Sequence, residues 1–148
     1  MQKPLANQCL VNRYDNTIND NKRLRKGLSV MAFLFRNGAK YLDRNPDTCF
    51  VAEKSDEIIG VIISGHDGRR GFIYHTAVKP EYRNQGIAKM LVKAAMDALK
   101  ANGINKVALV VFDRNKDGNA FWEKVGFTVR EDLVYRNKTI SELIRIDT

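Results

Sequence analysis

The chain has 148 residues, of which 44% are apolar and 28% are charged, and its formal net charge is +8. This length predicts one globular domain, residues 1–148, with a hydrophobic core of its own. No apolar run approaches the roughly eighteen residues of a membrane-spanning helix, so the sequence excludes that class. The excess of positive charge would suit a negatively charged partner, either nucleic acid or a multiply phosphorylated small molecule, but most of the basic residues are scattered and are better explained as a solvated surface that keeps the chain soluble.

The two cysteines, Cys9 and Cys49, have neither the spacing of a metal site nor the density of a disulfide framework. The first residues lack the basic and then apolar pattern of a signal peptide. We therefore expect a protein of the reducing cytoplasm that holds no metal and is not associated with a membrane.

The first 46 residues form a polar, irregular region whose patterns are weak. A weak strand is predicted around residues 9–14. Apolar residues from Leu24 to Phe35 recur at helical spacing, which predicts a helix that ends at Gly38. A second, short helix is predicted at residues 39–42, because the chain then meets Pro46.

After Pro46 the pattern changes to short strands. Residues 48–53 are predicted as a strand, followed by a turn at residues 55–56. Residues 58–64 are almost continuously apolar, which predicts a central strand. Residues 67–71 are typical of a hairpin connection, and residues 72–78 form its returning strand.

Residues 87–99 carry apolar side chains at helical spacing, and Asn102 and Gly103 are expected to end that helix. Residues 106–112 are apolar on both faces, which predicts an interior strand. A helix at residues 117–125 and a final antiparallel pair, residues 127–130 and 133–136, complete the chain. The order of elements predicts an α/β fold, with a mixed, largely antiparallel sheet flanked by helices on both faces.

Residues 81–89, Glu-Tyr-Arg-Asn-Gln-Gly-Ile-Ala-Lys, form a basic turn between a strand and the long helix. The N–H groups of the turn and the positive end of the helix point toward the same region, in front of the first turn of the helix. Gly86 lets the backbone approach a ligand closely, and Ala88 places only a small side chain at the start of the helix. This turn therefore predicts an anion site.

The same turn has the pattern Arg83-x-x-Gly86-x-Ala88, which resembles the acetyl-CoA motif (Q/R)-x-x-G-x-(G/A) of GNAT-fold N-acetyltransferases. Residues 115–127 resemble the later N-x-x-A-x-x-F-Y-E-K-x-G-F signature of that family. The resemblance covers about residues 48–136, and two spaced motifs make it specific. It implies an acyl-CoA N-acyltransferase-like fold with a divergent N-terminal region, residues 1–46, and a cofactor-binding core, residues 48–136.

The resemblance implies transfer of an acetyl group from acetyl-CoA to a primary amine, by direct attack in a ternary complex. It places the CoA pyrophosphate on the backbone amides of residues 85–89 and the pantetheine arm along the end of the preceding strand. The cofactor-binding residues that it implies are Ala77, Val78, Arg83, Asn84, Gln85, Gly86, Ile87, Ala88, Lys89, Asn115 and Trp122.

For catalysis, the resemblance implies that the backbone N–H of Val78 polarises the thioester carbonyl. Family members often protonate the leaving thiolate with a tyrosine, but this chain has Trp122 at that position, and an indole N–H is not a usable acid. Tyr74 or Tyr135, water, or direct departure of the thiolate are the alternatives.

His75 is a candidate base because the pKa of free histidine lies near neutrality. Strand parity argues against His75, because it shares one face with Ile73 and Ala77, whereas family bases on this strand tend to lie on the other face, with Tyr74 and Thr76. A β-bulge would reverse this parity.

Two other classes of function fit parts of the sequence. A non-catalytic acyl-CoA-binding module would explain Trp122, and it would bind acetyl-CoA without releasing thiol. A basic nucleic-acid-binding domain would explain the charge, but no strand interleaves aromatic and basic residues.

The acceptor of the acetyl group is open between a protein N-terminus, a lysine and a small-molecule amine. The positive charge of the chain disfavours a highly cationic acceptor such as a polyamine. Arg69 and Arg70 are best explained as part of a soluble hairpin turn, although they would also suit an acidic substrate or the partner subunit of a homodimer.

Overall fold

The structure is a computed structural model that describes residues 22–25, 38–55 and 57–141. These residues belong to two compact units, one ending at Phe112 and the other beginning at Asp113. Within the described residues, the first unit contains a five-stranded sheet whose strands lie side by side in chain order: β1 (Lys22–Arg25), β2 (Phe50–Lys54), β3 (Glu57–His66), β4 (Gly71–Val78) and β5 (Val107–Leu109). β5 is parallel to β4, and all other neighbours are antiparallel.

Two helices cover opposite faces of this sheet, α1 (Gly38–Arg44) and α2 (Ile87–Ala101). A side chain added at Gly60 of β3 would meet Ile87 and Leu91 of α2. Val61, the next residue, points to the other face and belongs to a buried cluster with Leu42 of α1. The predicted class, a mixed and largely antiparallel sheet with helices on both faces, is confirmed.

β3 is the buried centre of the sheet. Its residues from Ile59 through Gly65 are all buried, as the continuous apolar run predicts. Ser64 and Thr48 are polar residues in this core, and each side chain donates to the carbonyl of the other, at 2.5 Å for Ser64 Oγ and 2.6 Å for Thr48 Oγ1. Because both hydroxyls are paired, their burial carries little cost.

The helix α2 follows the pattern that the sequence predicts for residues 87–99. Its buried side chains are spaced by three and four residues, which turns one apolar face toward the sheet; they are Ile87, Leu91, Val92, Ala94, Ala95 and Leu99. Asn102 caps the carboxyl end, and Gly103 follows with a positive φ of 78°. The predicted helix end at these two residues is confirmed.

The prediction of a helix that begins at Leu24 is wrong at the start of that helix. Residues 22–25 form β1, in which Leu24 lies opposite Ala52 of β2. The edge of β2 offers these residues hydrogen-bonding partners, which outweigh a weak helical spacing. Gly38 begins α1 instead of ending a helix, and the short helix predicted at residues 39–42 is confirmed within α1. Residues 26–37 of the predicted helix, and the weak strand at residues 9–14, lie outside the described residues.

The carboxyl-terminal part of the sheet differs more from the prediction than the preceding strands do. The strand expected at residues 106–112 comprises only Val107–Leu109, and it lies at the edge of the described sheet rather than in its interior. Residues 127–141 contain no strand, so the predicted final pair is wrong. Val129 and Tyr135 are 82% and 71% exposed. An alternating pattern stabilises strands only when one face is buried, and these side chains are not buried.

The second unit contains α3 (Lys116–Lys124), close to the predicted helix at residues 117–125. Asn115 caps this helix, because its Oδ1 accepts a hydrogen bond from the Gly118 N–H at 3.0 Å. In the part of the chain that the structure describes, no helix has the length and apolar character needed to cross a bilayer.

Candidate active site

The turn between β4 and α2 presents backbone N–H groups at the start of a helix. A 3-10 turn, Pro80–Tyr82, leads to Asn84 and Gly86, whose φ angles of 59° and 78° are left-handed. Gly86 occupies the N-cap position of α2 without a side chain that could cap it. The N–H groups of the first helical turn therefore have no N-cap side chain as a partner, and an anion can bind them.

Positive side chains lie on both sides of this helix start. Arg83 and Lys89 are exposed, three residues before and three residues after Gly86. Gln85 contributes to the shape of the turn, since its Nε2 donates to the Glu81 carbonyl at 3.3 Å. Cationic side chains around uncapped N–H groups are the donor set that a pyrophosphate requires, so these residues fit the pyrophosphate of CoA.

β4 has an edge that is not covered by a neighbouring strand in the described sheet. β5 pairs only with Gly71, Phe72 and Ile73, so the edge is open from Tyr74 to Val78. The N–H of Lys79 donates to Ile59 of β3 at 2.9 Å. Because successive N–H groups of a strand point to opposite edges, the N–H of Val78 points to the open edge.

A β-bulge in β4 changes which of its side chains share a face. Ser64 pairs with Ile73 and Ile63 pairs with His75, so Tyr74 is an extra residue with no partner on β3. Residues directly opposite each other project from the same face of a sheet. Ile63 belongs to the cluster on the α1 face, and His75 therefore lies on the α1 face as well.

Tyr74 lies on that face too. Its ring meets the ring of Tyr41 in α1 edge-on, with 5.5 Å between the centroids, and meets Phe72 at 4.7 Å. The parity that separates His75 from Tyr74 is therefore wrong, because the bulge adds one residue to the strand. The two candidate catalytic side chains of β4 share the α1 face.

Partial removal from water by its neighbours lowers the pKa of His75 below the ordinary value of histidine, although the side chain is still exposed to solvent. Removal from water disfavours the charged imidazolium more than the neutral ring. At neutral pH the side chain is therefore mainly neutral, which is the form that can accept a proton from an amine.

Tyr41 is a residue of this face that the sequence analysis did not single out. Its hydroxyl is buried and has no hydrogen-bonding partner among the described residues. Burial raises the pKa of this hydroxyl, with the neighbouring Cys49 and Tyr74 adding to the effect. The predicted helix at residues 39–42 includes Tyr41, but its approach to β4 arises only when α1 packs on the sheet.

Cys49 lies next to this aromatic group and is not a nucleophile. Its Sγ donates to the Ser64 carbonyl at 3.1 Å, and burial raises its pKa to about 11. The thiol is therefore protonated at neutral pH, and the residue contributes to packing.

A polar cluster joins the start of β3 to the turn before α2. The Glu57 carboxylate accepts hydrogen bonds from the Lys79 ammonium and from the Tyr82 hydroxyl, the latter at 3.2 Å. The bond from Lys79 holds the pKa of Glu57 below its usual value. Lys54 lies over the Tyr82 ring, 5.3 Å from the centroid. These contacts join residues that are far apart in sequence, so no sequence pattern points to them.

Three of the predicted site residues belong to the second unit. Asn115 uses its side-chain oxygen to cap α3. Trp122 is half-buried between Phe121 and Phe127, with edge-on ring contacts at 5.1 and 5.2 Å between centroids. These contacts give the indole a packing role within its own unit. Tyr135 is exposed.

The model of the acetyltransferase (GNAT) family matches residues 19–127 of this chain. An acetyltransferase of Sodalis glossinidius (strain morsitans) is 34% identical over 101 residues, which is 68% of this chain and 71% of that protein. The family match extends from β1 to α3 and includes the turn before α2 and α2 itself.

Solved structures share the fold at lower identity. The aminoglycoside N-acetyltransferase AAC(6')-Iy in complex with CoA has a TM-score of 0.60 and 21% identity, over 70% of this chain and 74% of that one. Arabidopsis thaliana Naa50 in complex with the bisubstrate analogue CoA-Ac-MVNAL has a TM-score of 0.58 and 22% identity, over 75% and 85% of the two chains.

Proposed function

Because this chain belongs to the GNAT family of acetyltransferases, we propose that it transfers an acetyl group from acetyl-CoA to a primary amine by direct attack in a ternary complex. The observation that carries the proposal is the open edge of β4. It runs from Tyr74 to Val78 and ends at the uncapped start of α2. A linear ligand with a pyrophosphate and a chain of amide groups is complementary to such a surface.

In this proposal the helix start holds the donor. The backbone N–H groups of residues 85–89 bind the pyrophosphate, and the positive charges of Arg83 and Lys89 add to the attraction. Asn84 and Gly86 supply the left-handed backbone that aims these N–H groups outward. The open edge at residues 76–78 pairs with the amides of the pantetheine arm, in the manner of an added strand. The assignment of Asn115 and Trp122 to the donor rests on the later sequence motif alone.

The backbone N–H of Val78 then lies where it can donate to the thioester oxygen. The amine nitrogen attacks the carbonyl carbon, negative charge grows on that oxygen, and the N–H of Val78 stabilises it. The C–S bond breaks as the C–N bond becomes an amide, so the products are the acetylated acceptor and CoA. One proton leaves the amine nitrogen, and one proton is taken up by the thiolate.

His75 and Tyr74 are the groups of β4 that we assign to these protons. His75 is neutral at neutral pH and accepts the proton of the amine. Tyr74, on the same face, and Tyr135, in the second unit, are the candidate donors to the thiolate, because Trp122 cannot act as an acid. A thiolate is a fair leaving group, so this second proton transfer contributes less to the rate than the first.

The acceptor class follows less directly from the site than the donor does. The similarity to an aminoglycoside N-acetyltransferase and to Naa50 with its MVNAL analogue supports testing aminoglycosides and short peptides first. The +8 charge of the chain disfavours highly cationic amines, which places peptides ahead of aminoglycosides and polyamines.

The experiment is a thiol-release assay with acetyl-CoA and a panel of amines: peptides with free N-termini, lysine-containing peptides with blocked N-termini, amino acids, aminoglycosides and polyamines. We expect release of CoA that depends on one class of amine, together with an acetylated product of matching mass. Saturable binding of acetyl-CoA without release for any amine would contradict the proposal and favour an acyl-CoA-binding module.

A further inference from the structure

The Arg83 side chain is directed back toward β4. Its Nε donates to the Val78 carbonyl at 3.1 Å, and its backbone N–H donates to the Pro80 carbonyl at 3.2 Å. The guanidinium therefore joins the end of the strand to the turn that binds the pyrophosphate in the proposed function. A residue whose only role was to bind a phosphate by its charge would not need this bond.

The peptide between Val78 and Lys79 is held from both sides. The carbonyl of this peptide belongs to Val78 and accepts from the Arg83 Nε–H. The N–H of the same peptide belongs to Lys79 and donates to the Ile59 carbonyl of β3 at 2.9 Å. In an extended strand the N–H and the carbonyl of one residue point to the same edge. A bond that fixes the Val78 carbonyl therefore also constrains the direction of the Val78 N–H.

We propose that Arg83 is a positioning residue, whose Nε–H holds Val78 so that the Val78 N–H meets the thioester oxygen. This inference rests on the proposed function, in which that N–H polarises the thioester. It gives the Nε–H and the two terminal nitrogens of the guanidinium different roles. The Nε–H donates to Val78, which leaves the four N–H groups of the terminal nitrogens for the pyrophosphate. Arg83 thereby links donor binding to the geometry of the acyl group.

Two substitutions separate the hydrogen bond from the charge. In R83Q the side-chain Nε2 lies the same number of bonds from Cα as the Nε of arginine, so glutamine can donate to the Val78 carbonyl without a charge. In R83M a side chain of similar length can make no such bond. Both variants lose the same charge, and only R83Q keeps a side-chain N–H that can donate to the Val78 carbonyl.

With the best amine of the panel, we expect R83M to lower kcat by about tenfold, because a small displacement of a catalytic group has large effects on rate. R83Q should recover most of kcat relative to R83M. The KM for acetyl-CoA should rise in both variants, since both lose the charge. Equal kcat values for R83Q and R83M, with only KM raised, would overturn the inference and leave Arg83 as a phosphate ligand.

A readout that does not require activity is the amide resonance of Lys79 in the ligand-free, 15N-labelled protein. Lys79 N–H lies on the peptide whose carbonyl Arg83 binds, so its chemical shift reports that bond. We expect R83M to move this resonance and R83Q to leave it near its original position. Equal displacement in both variants would overturn the inference even if the enzyme acetylates no amine of the panel. An unreactive panel with the expected resonances would instead contradict the proposed function alone.

Discussion

His75 lies beside Tyr74 on the α1 face because β4 contains one residue more than the strand with which it pairs. That single residue moves the imidazole to the side of the sheet that carries Tyr41 and the Tyr74 ring. A base and an acid that act on one substrate must be reachable from the same side, and the bulge provides this arrangement.

The pH dependence of the rate tests the role of His75. Its pKa is lowered by burial, so we expect kcat/KM to rise with pH through a midpoint below about 6.5, the ordinary value for histidine. Activity is lost as the pH falls, because the protonated ring cannot accept the proton of the amine. H75Q should lower kcat/KM by about a hundredfold and remove this limb of the profile.

The other histidine of the chain provides the control. His66 lies at the end of β3, where its Nδ1 accepts a hydrogen bond from the Gly68 N–H at 3.2 Å. H66Q should keep the acidic limb in place. A limb that persists in H75Q, or that moves in H66Q, would remove His75 as the base.

The lowered pKa of His75 also predicts that the folded state loses stability as the pH falls below about 6.5, because His75 binds its proton more tightly in the unfolded chain.

The helix α2 is bounded by two glycines that share one conformation but differ in their surroundings. Gly86 precedes its first residue and Gly103 follows its carboxyl cap, and both have a φ of 78°. A Cβ at either position would meet no atom within 4 Å, so any cost of alanine there arises from the backbone conformation. Only Gly86 lies in the turn to which we assign the pyrophosphate.

This pair of glycines separates stability from binding. G86A and G103A should each lower the free energy of unfolding by about 1 kcal/mol, because a left-handed φ strains alanine. We expect G86A to weaken acetyl-CoA binding by roughly tenfold, equivalent to about 1.4 kcal/mol, and G103A to leave the affinity near wild type. Chemical denaturation and calorimetry measure the two quantities. Equal affinities in G86A and G103A would show that the turn does not hold the donor.

Elements with strong apolar patterns could be predicted from the sequence. β3 has a continuous apolar run and α2 has helical spacing between clear end signals, so local pattern and tertiary packing agree there. β1 could not be predicted, because Lys22–Arg25 pairs with an edge that is distant in sequence. Residues 110–112 and 127–136 show the opposite failure, in which an apolar or alternating pattern does not form the strand that it favours.

At the scale of the whole molecule, the sequence supports a specific proposal for the donor side of the site and none for the acceptor side. The turn at residues 81–89 is contiguous, so one motif is enough to predict a donor site there. The contact of Tyr41 with Tyr74 and the bulge in β4, on the face where we propose that the amine reacts, are properties of the folded sheet that no local pattern predicts. The positive net charge agrees with an anionic donor and does not identify the acceptor.

The central claim is that acetyl-CoA binds along the open edge of β4 and at the start of α2. A titration of the 15N-labelled full chain with acetyl-CoA, followed by amide resonances, tests it most directly. We expect saturable shifts concentrated at residues 76–78 and 85–89, with the hairpin at residues 67–71 unaffected. The absence of saturable shifts, or shifts centred on the hairpin while these two segments stay unchanged, would contradict the account.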